Sequence, residues 1–513
     1  MGILSQHGYE MTPRADEADV LIVNTCSFIS PAQQESVDTI LEMAEHKVYG
    51  RAKRLVVTGC LVERYREQIL EQIPAVDAVI GTGELEKIVE AVEGRARCGE
   101  AAEADGAKLP DTPPHRATDR AHAPGASLHA SPDLRVLDSG ALDSGALDLR
   151  ALDARVALPT FLYHDATPRV LATPRHAAYI KIAEGCDHPC TFCIIPQLRG
   201  KFRSRRFESV VREAANLAAA GVREITLIGQ DTTSYGEDLD LRDGLAQLLE
   251  RLAGVAGLDW VRFLYAYPNR VTQRLLDTLA EHARLVKYLD MPLQHASRKL
   301  LARMKRGSSG EAFLRLLERA RKTVPGLMLR TSFIVGFPGE TESDFRELCD
   351  FVRAAEFDWM GVFAYSDVDN AGSYTLDAKL DTDVIAERRD YLMALQRPVS
   401  ARRLRRFVGQ ELPAIVDGPS TESELVWEAR LEGMAPEIDG KVYLSDLEPA
   451  DAAGRRGRAA QAGDMVTVEI MESHDYDLVG RVIEVADSAP VTALSAASAA
   501  RRISTGAALR VLA

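Results

Sequence analysis

Short apolar runs alternate with stretches in which apolar residues return every third or fourth position, and this pattern fills most of the chain. Over residues 1–98 the runs are "DVLIVNTC" (19–26), "RLVVTGC" (54–60) and "AVDAVIG" (75–81). Unbroken apolar runs predict strands covered on both faces, as in a parallel sheet. Between them "AQQESVDTILEMAEH" and "LVERYREQILEQI" have helical periodicity, which predicts an N-terminal doubly wound α/β domain.

The pattern lapses over 99–160, which is rich in Ala, Asp, Gly, His and Pro and contains the near-repeat "VLDSGALDSGALDLRALDAR" (136–155). Such short units bury too little surface for a solenoid, so 99–170 reads as a low-complexity insertion and linker. Alternation resumes over 171–407. After "HAAYIKIAEGC", the runs "EITLIGQD", "WVRFLYAYP", "YLDMPLQHA", "LRTSFIVGFPG" and "WMGVFAYS" each close on polar or Gly/Pro residues. Successive βα units predict a full or partial barrel, whose chemistry gathers at the C-terminal ends of its strands. Gln230, Asp231, Gln294, His295, Gly336 and Tyr365 fall at such ends. Beyond the helical "AERRDYLMALQRPVSARRLRRF", short strands and turns predict a small β-barrel over 408–486, and the Ala/Ser-rich 487–513 a flexible tail.

Composition narrows the class. Of the 513 residues 46% are apolar and 27% charged, as in ordinary globular proteins. No apolar run reaches membrane-spanning length, and "MGILSQHGYE" lacks the regions of a secretion signal, so a cytoplasmic protein is expected. Seven cysteines in that compartment point to ligands or reactive thiols. Three of them, Cys186, Cys190 and Cys193, lie within "CDHPCTFC". Structural zinc is closed by four ligands, and no suitable pair follows; Cys349 stands alone in a helical stretch. An electron-carrying cluster wants a fourth thiolate, whereas a 4Fe–4S cubane on three thiolates leaves one iron open to a small molecule.

The spacing C-x3-C-x2-C with Phe192 before the last cysteine, inside "YIKIAEGCDHPCTFCIIPQLRG", resembles the radical S-adenosylmethionine (SAM) superfamily. The resemblance implies that Cys186, Cys190 and Cys193 hold a 4Fe–4S cluster whose open iron chelates SAM, with Phe192 near the adenine. It implies that "SFIVGFPGET" (332–341), with Gly336, passes the adenine, and that "IGQD" (228–231), with Gln230 and Asp231, reaches the methionine amine. Gln294 is a further cofactor candidate. Each of these segments also reads as plain turn punctuation. Lys201 and the basic run 203–206 read equally as a solvated face or a substrate contact.

Cys26 and Cys60 close two predicted parallel strands, which places their sulfurs side by side; small core filler is the alternative. The wording "ADVLIVNTCSFI" and "VVTGCL" resembles the N-terminal domain of the methylthiotransferases. That family carries a second 4Fe–4S cluster on three cysteines, here implied on Cys26, Cys60 and a third residue. The family's first strand and its cysteine look absent before Cys26, as though the start were truncated, and Cys98 is a poor substitute. A sheet lacking that strand is expected to expose an apolar edge.

Net charge is −14, and residues 410–486 alone hold six Lys and Arg against seventeen Asp and Glu. A barrel of that charge repels RNA and attracts a basic protein. "APEIDGKVYL" (435–444), "HDYDLVG" (474–480) and "GQDTTSYG" (229–236) resemble the RimO-type ribosomal-protein aspartate methylthiotransferases, whose C-terminal domain is a TRAM-like β-barrel. The expectation is therefore a transferase that β-methylthiolates an aspartate of small-subunit ribosomal protein twelve. It would take electrons from a donor of the flavodoxin or ferredoxin kind and bind neither membrane nor transfer RNA. Transfer-RNA methylthiolation and a non-catalytic remnant are the alternatives.

Overall fold

The computed structural model describes residues 1–95, 161–421, 423, 425–449, 457–486 and 510–512. The insertion expected at 99–160, with Cys98, falls outside the described residues, as do 487–509.

The N-terminal elements are α1 (Gly2–Gln6), β1 (Glu10–Met11), β2 (Val20–Thr25), α2 (Ser30–Val48), β3 (Arg54–Gly59), α3 (Cys60–Gln72), β4 (Ala78–Ile80) and α4 (Ile88–Glu93). The apolar strands β2 and β3 are sandwiched between two buried clusters. Leu21, Val23, Leu55 and Val57 face α2 and α3, while Val20 and Val56 face α4. That is why they carry no polar alternation. The sheet runs β1-β18-β2-β3-β4, all parallel, where β18 is Arg510–Leu512. Part of the segment expected as a tail thus forms a strand between β1 and β2. The short run "LRVL" is easily lost in an Ala/Ser-rich context, and unpaired backbone beside β2 gives it a template.

The central elements are β5 (Ala177–Lys181), β6 (Ala183–Glu184), α5 (Ile195–Arg199), β7 (Arg203–Ser204), α6 (Phe207–Ala219), β8 (Glu224–Ile228), α7 (Gly244–Ala253), β9 (Trp260–Phe263) and α8 (Gln273–Glu281). They continue with β10 (Tyr288–Asp290), α9 (Arg298–Arg303), α10 (Gly310–Thr323), β11 (Met328–Val335), α11 (Glu342–Ala355), β12 (Trp359–Ala364) and α12 (Thr382–Arg405). Two parallel sheets, β5-β8-β9 and β10-β11-β12, meet through the bridge Val261–Leu285 and make a partial barrel of six parallel strands.

The last domain is a closed barrel, β13-β14-β15-β17-β16, of β13 (Glu411–Pro419), β14 (Trp427–Leu431), β15 (Val442–Leu444), β16 (Met465–Ser473) and β17 (Leu478–Val485). Its core takes in Trp260, Tyr288, Met328 and Trp359, all from the starts of the larger barrel's strands. The 433–439 loop seals that end: Trp359 donates to the Gly433 carbonyl at 2.8 Å and Tyr288 to Asp439 at 2.7 Å. With its N-terminal end closed, the larger barrel is left open for chemistry at its C-terminal end. Among the described residues no helix is long and apolar enough to cross a membrane.

Candidate functional site

The loop carrying Cys186, Cys190 and Cys193 leaves β6 and ends in α5, at the C-terminal end of the barrel. Backbone bonds pin it at both sides. Cys186 N–H donates to the Gly200 carbonyl at 3.3 Å, Thr191 N–H to Met304 at 3.2 Å, and Cys193 N–H to Cys190 at 3.2 Å. Cys186 is buried, and Cys190 and Cys193 are half-buried. Burial pushes the Cys186 thiol up to about 11 and that of Cys193 to about 12, each further raised by the neighbouring thiols. Such sulfurs stay protonated at neutral pH until a cation displaces the proton. Among the described residues no three or more His, Cys, Asp or Glu are gathered so as to hold a single metal ion. A cubane makes a different demand, one thiolate on each of three corners, and three thiols on one loop with no fourth beside them among the described residues suit it.

Phe192 packs with Leu300, Met304 and Phe337, beside Ile334 and Tyr365. The loop aromatic and the "FIVGFPG" segment therefore do meet, in one apolar wall. Gly336 has a reason of its own to be glycine. Its φ is +80°, and a Cβ would lie 2.4 Å from the Ile385 side chain.

The polar strand ends are also tied into the protein's own hydrogen bonds. Gln230 accepts from Gly185 N–H at 2.8 Å and donates to Glu184 at 3.3 Å, so it braces the loop's entry. Asp231 is buried and takes bonds from His188 Nε2 at 2.6 Å, Ser234 at 2.6 Å and the Thr233 N–H at 2.9 Å. Burial alone would raise its carboxyl, but the bonds from His188, Ser234 and Thr233 outweigh that and hold it low. Asp231 also lines a cavity beside Cys186 and His188. Gln294 sits at φ +73° and bridges to Phe333, its N–H donating to Ser332 at 2.9 Å. His295 is fully buried, and burial pushes it down to about 3, which makes it a neutral core residue. In the basic run, Arg205 is buried against Glu213 at 2.6 Å rather than solvated, while Lys201 and Arg206 are exposed.

Sequence reasoning missed His188, Tyr267 and Arg306. The His188 ring stacks on Tyr267 with centroids 3.7 Å apart, and the Arg306 guanidinium lies 4.2 Å from the Tyr267 centroid. The cavity, of about 310 Å³, opens beside His188; Cys186, Phe202 and Arg270 are among its walls, which also carry the acidic Asp187, Asp231, Glu237 and Asp238. Only the position of His188 inside the cysteine motif could have flagged it.

Cys26 and Cys60 follow β2 and β3, which pair in register from Val20–Arg54 to Thr25–Gly59. Gly59 makes the turn at φ +105°, where a Cβ would meet the Thr25 carbonyl at 2.4 Å. Burial raises the Cys60 thiol; Arg199 opposes that, donating to its sulfur at 3.1 Å. Cys60 packs with Ile194, Leu198, Val368 and Ala371, so it rests on the helix that follows Cys193. Tyr65 bonds Asp369 at 3.3 Å, Arg64 pairs with the same carboxylate, and Ser30 N–H donates to Ser366 at 3.1 Å. The N-terminal domain is thereby docked on the barrel's open end, which brings two thiol groups from separate domains together. Cys26 is exposed, and among the described residues this second group has two thiols.

A three-thiol loop at the mouth of a partial βα barrel, with an apolar wall beside it, defines a radical SAM protein. The profile of the radical SAM superfamily matches residues 180–352, that of uncharacterized protein family UPF0004 residues 1–81, and that of the TRAM domain residues 408–483. A protein of Koribacter versatilis named ribosomal protein uS12 methylthiotransferase RimO is 53% identical over 94% of this chain and 92% of its own. One of the same name from Solibacter usitatus is 54% identical over 96% and 92%, and one from Geobacter sulfurreducens 40% over 94% and 94%. This chain belongs to the RimO family of radical SAM methylthiotransferases.

Proposed function

We propose that this chain transfers a methylthio group to the β-carbon of an aspartate in ribosomal protein uS12. The observation that carries the reading is identity above 50%, across nearly the full length, to proteins named for that reaction. An unactivated C–H bond offers no proton to a general base at neutral pH, so radical chemistry fits the acceptor. Cys186, Cys190 and Cys193 would hold a 4Fe–4S cluster, which would supply one-electron reduction of SAM using an electron from an external donor.

The chain's own groups do the rest of the positioning. Gln230 and Glu184 hold the loop's entry, and Asp231 fixes the orientation of His188. Phe192 and Phe337 give an adenine an apolar wall. For a second cluster, Cys26 and Cys60 supply two thiols held near the first group, and among the described residues no third joins them. No sulfur-transfer step is assigned through it.

The charge argument for a basic acceptor needs a discount. Asp417 and Asp439 are consumed in ion pairs with Arg430 and Arg330, and Glu428 with Lys441. Glu411, Asp446 and Glu484 remain exposed for a basic partner. The test is incubation of anaerobically reconstituted protein with SAM, reductant and uS12, followed by mass spectrometry of uS12. A methylthio group on one aspartate supports the reading; modified transfer RNA with untouched uS12 would defeat it.

A further inference from the structure

Arg306 is a buried cation in search of an anion. It is 8% exposed, and among the described residues no carboxylate stands within ion-pair distance of it. Its guanidinium donates to the Pro292 carbonyl and, at 3.7 Å, to the sulfur of Cys190. It also lies over Tyr267, whose ring carries His188 from the cysteine loop. The preceding Lys305 takes φ +55°, a conformation that costs a non-glycine residue energy, and Arg306 N–H is tied to Leu301 at 2.8 Å. The backbone is thus held so that this side chain turns inward. A buried charge with no counter-charge is costly, and the chain keeps it beside three thiols.

We infer that Arg306 is a positioning residue for the reductive step, its guanidinium giving the thiolate-ligated centre at Cys186, Cys190 and Cys193 a hydrogen bond and a compensating positive charge. The inference rests on the reading that those cysteines hold a 4Fe–4S cluster. Reduction takes one electron from the external donor and adds one negative charge at the loop. A fixed cation bonded to a ligand sulfur favours the more negative state, so it raises the reduction potential. Arg306 makes that state reachable by a biological donor.

The experiment is an anaerobic redox titration, read by electron paramagnetic resonance, of the reconstituted full chain without SAM. Omitting SAM removes its carboxylate as a rival partner for the guanidinium. Arg306→Gln should lower the midpoint potential, cutting the reduced-to-oxidised ratio at a fixed potential about tenfold, which is about 59 mV for a one-electron couple. Arg306→Lys, which keeps the charge, should lie closer to wild type. If wild type and Arg306→Gln titrate together, the inference is overturned. Should the variants not fold, wild-type protein labelled with ¹⁵N-arginine serves instead. Its reduced cluster should show hyperfine coupling to a guanidinium nitrogen, and absence of coupling overturns the inference. Wild-type protein that assembles no 4Fe–4S signal defeats the underlying reading, which keeps the two failures apart.

Discussion

Burial governs the protonation of the cysteine loop. With Cys186 pushed up to about 11 and Cys193 to about 12, very little thiolate exists at neutral pH before metal arrives. In unloaded protein at pH 7.5, alkylation mapped by mass spectrometry should find exposed Cys26 modified first, and Cys193 slower by roughly a hundredfold or more. His295 gives a pH signature. Its folded value is pushed below the unfolded one, so the unfolded chain takes up the proton first and stability falls as pH drops below about 6.5. Between pH 7.5 and 5.5 this group alone should remove ~1.4 kcal/mol. His295→Gln should flatten the fall in melting temperature by that share; an unchanged slope contradicts the buried neutral assignment. At this scale the sequence was legible where thiols are neighbours along one loop. It was silent where partners are distant in the chain: Arg306 lies 116 residues from Cys190, and Arg199 139 from Cys60.

Among the elements, the turn from β3 into α3 decides where Cys60 goes. Gly59→Ala puts a methyl against the Thr25 carbonyl at a φ that L-residues avoid. The substitution should cost about 1–3 kcal/mol and displace Cys60. The melting temperature should fall while iron bound at the barrel loop is retained; loss of that iron as well would contradict the holding of the barrel loop by its own bonds to Gly200 and Met304. Apolar runs predicted β2, β3 and the barrel strands because each is covered on both faces. β18 escaped notice because a strand of three residues is specified by its neighbours in the sheet, not by its own pattern. The ends of the barrel strands were located correctly, yet what their polar residues do was not legible. Asp231 and Gln230 spend their bonds inside the protein, and only the fold reveals those partners.

Across the whole molecule, buried charges clamp the small barrel under the large one. Glu224, fully buried, meets Arg262 at 2.9 Å and Arg430 at 2.7 Å, and Arg430 also holds Asp417 at 2.7 Å. Removing one member leaves the others uncompensated, which costs about 3–5 kcal/mol. Arg430→Met should therefore lower the melting temperature sharply, whereas Arg481→Met on the exposed pair with Glu469 should scarcely change it. Equal losses would show that the clamp carries no special weight. The three-domain order was readable from composition and periodicity. The docking that seals one end of the barrel and sets two thiol groups at the other was not, since it depends on contacts between domains.

The most direct test of the account pairs wild-type protein with a variant in which Cys186, Cys190 and Cys193 are all alanine. Both are given iron, sulfide, SAM, reductant and uS12 without oxygen, and both 5′-deoxyadenosine and modified uS12 are quantified. Wild type should form 5′-deoxyadenosine and a methylthio-aspartate in uS12, and the variant neither. Equal 5′-deoxyadenosine from the two proteins would contradict the account at its root.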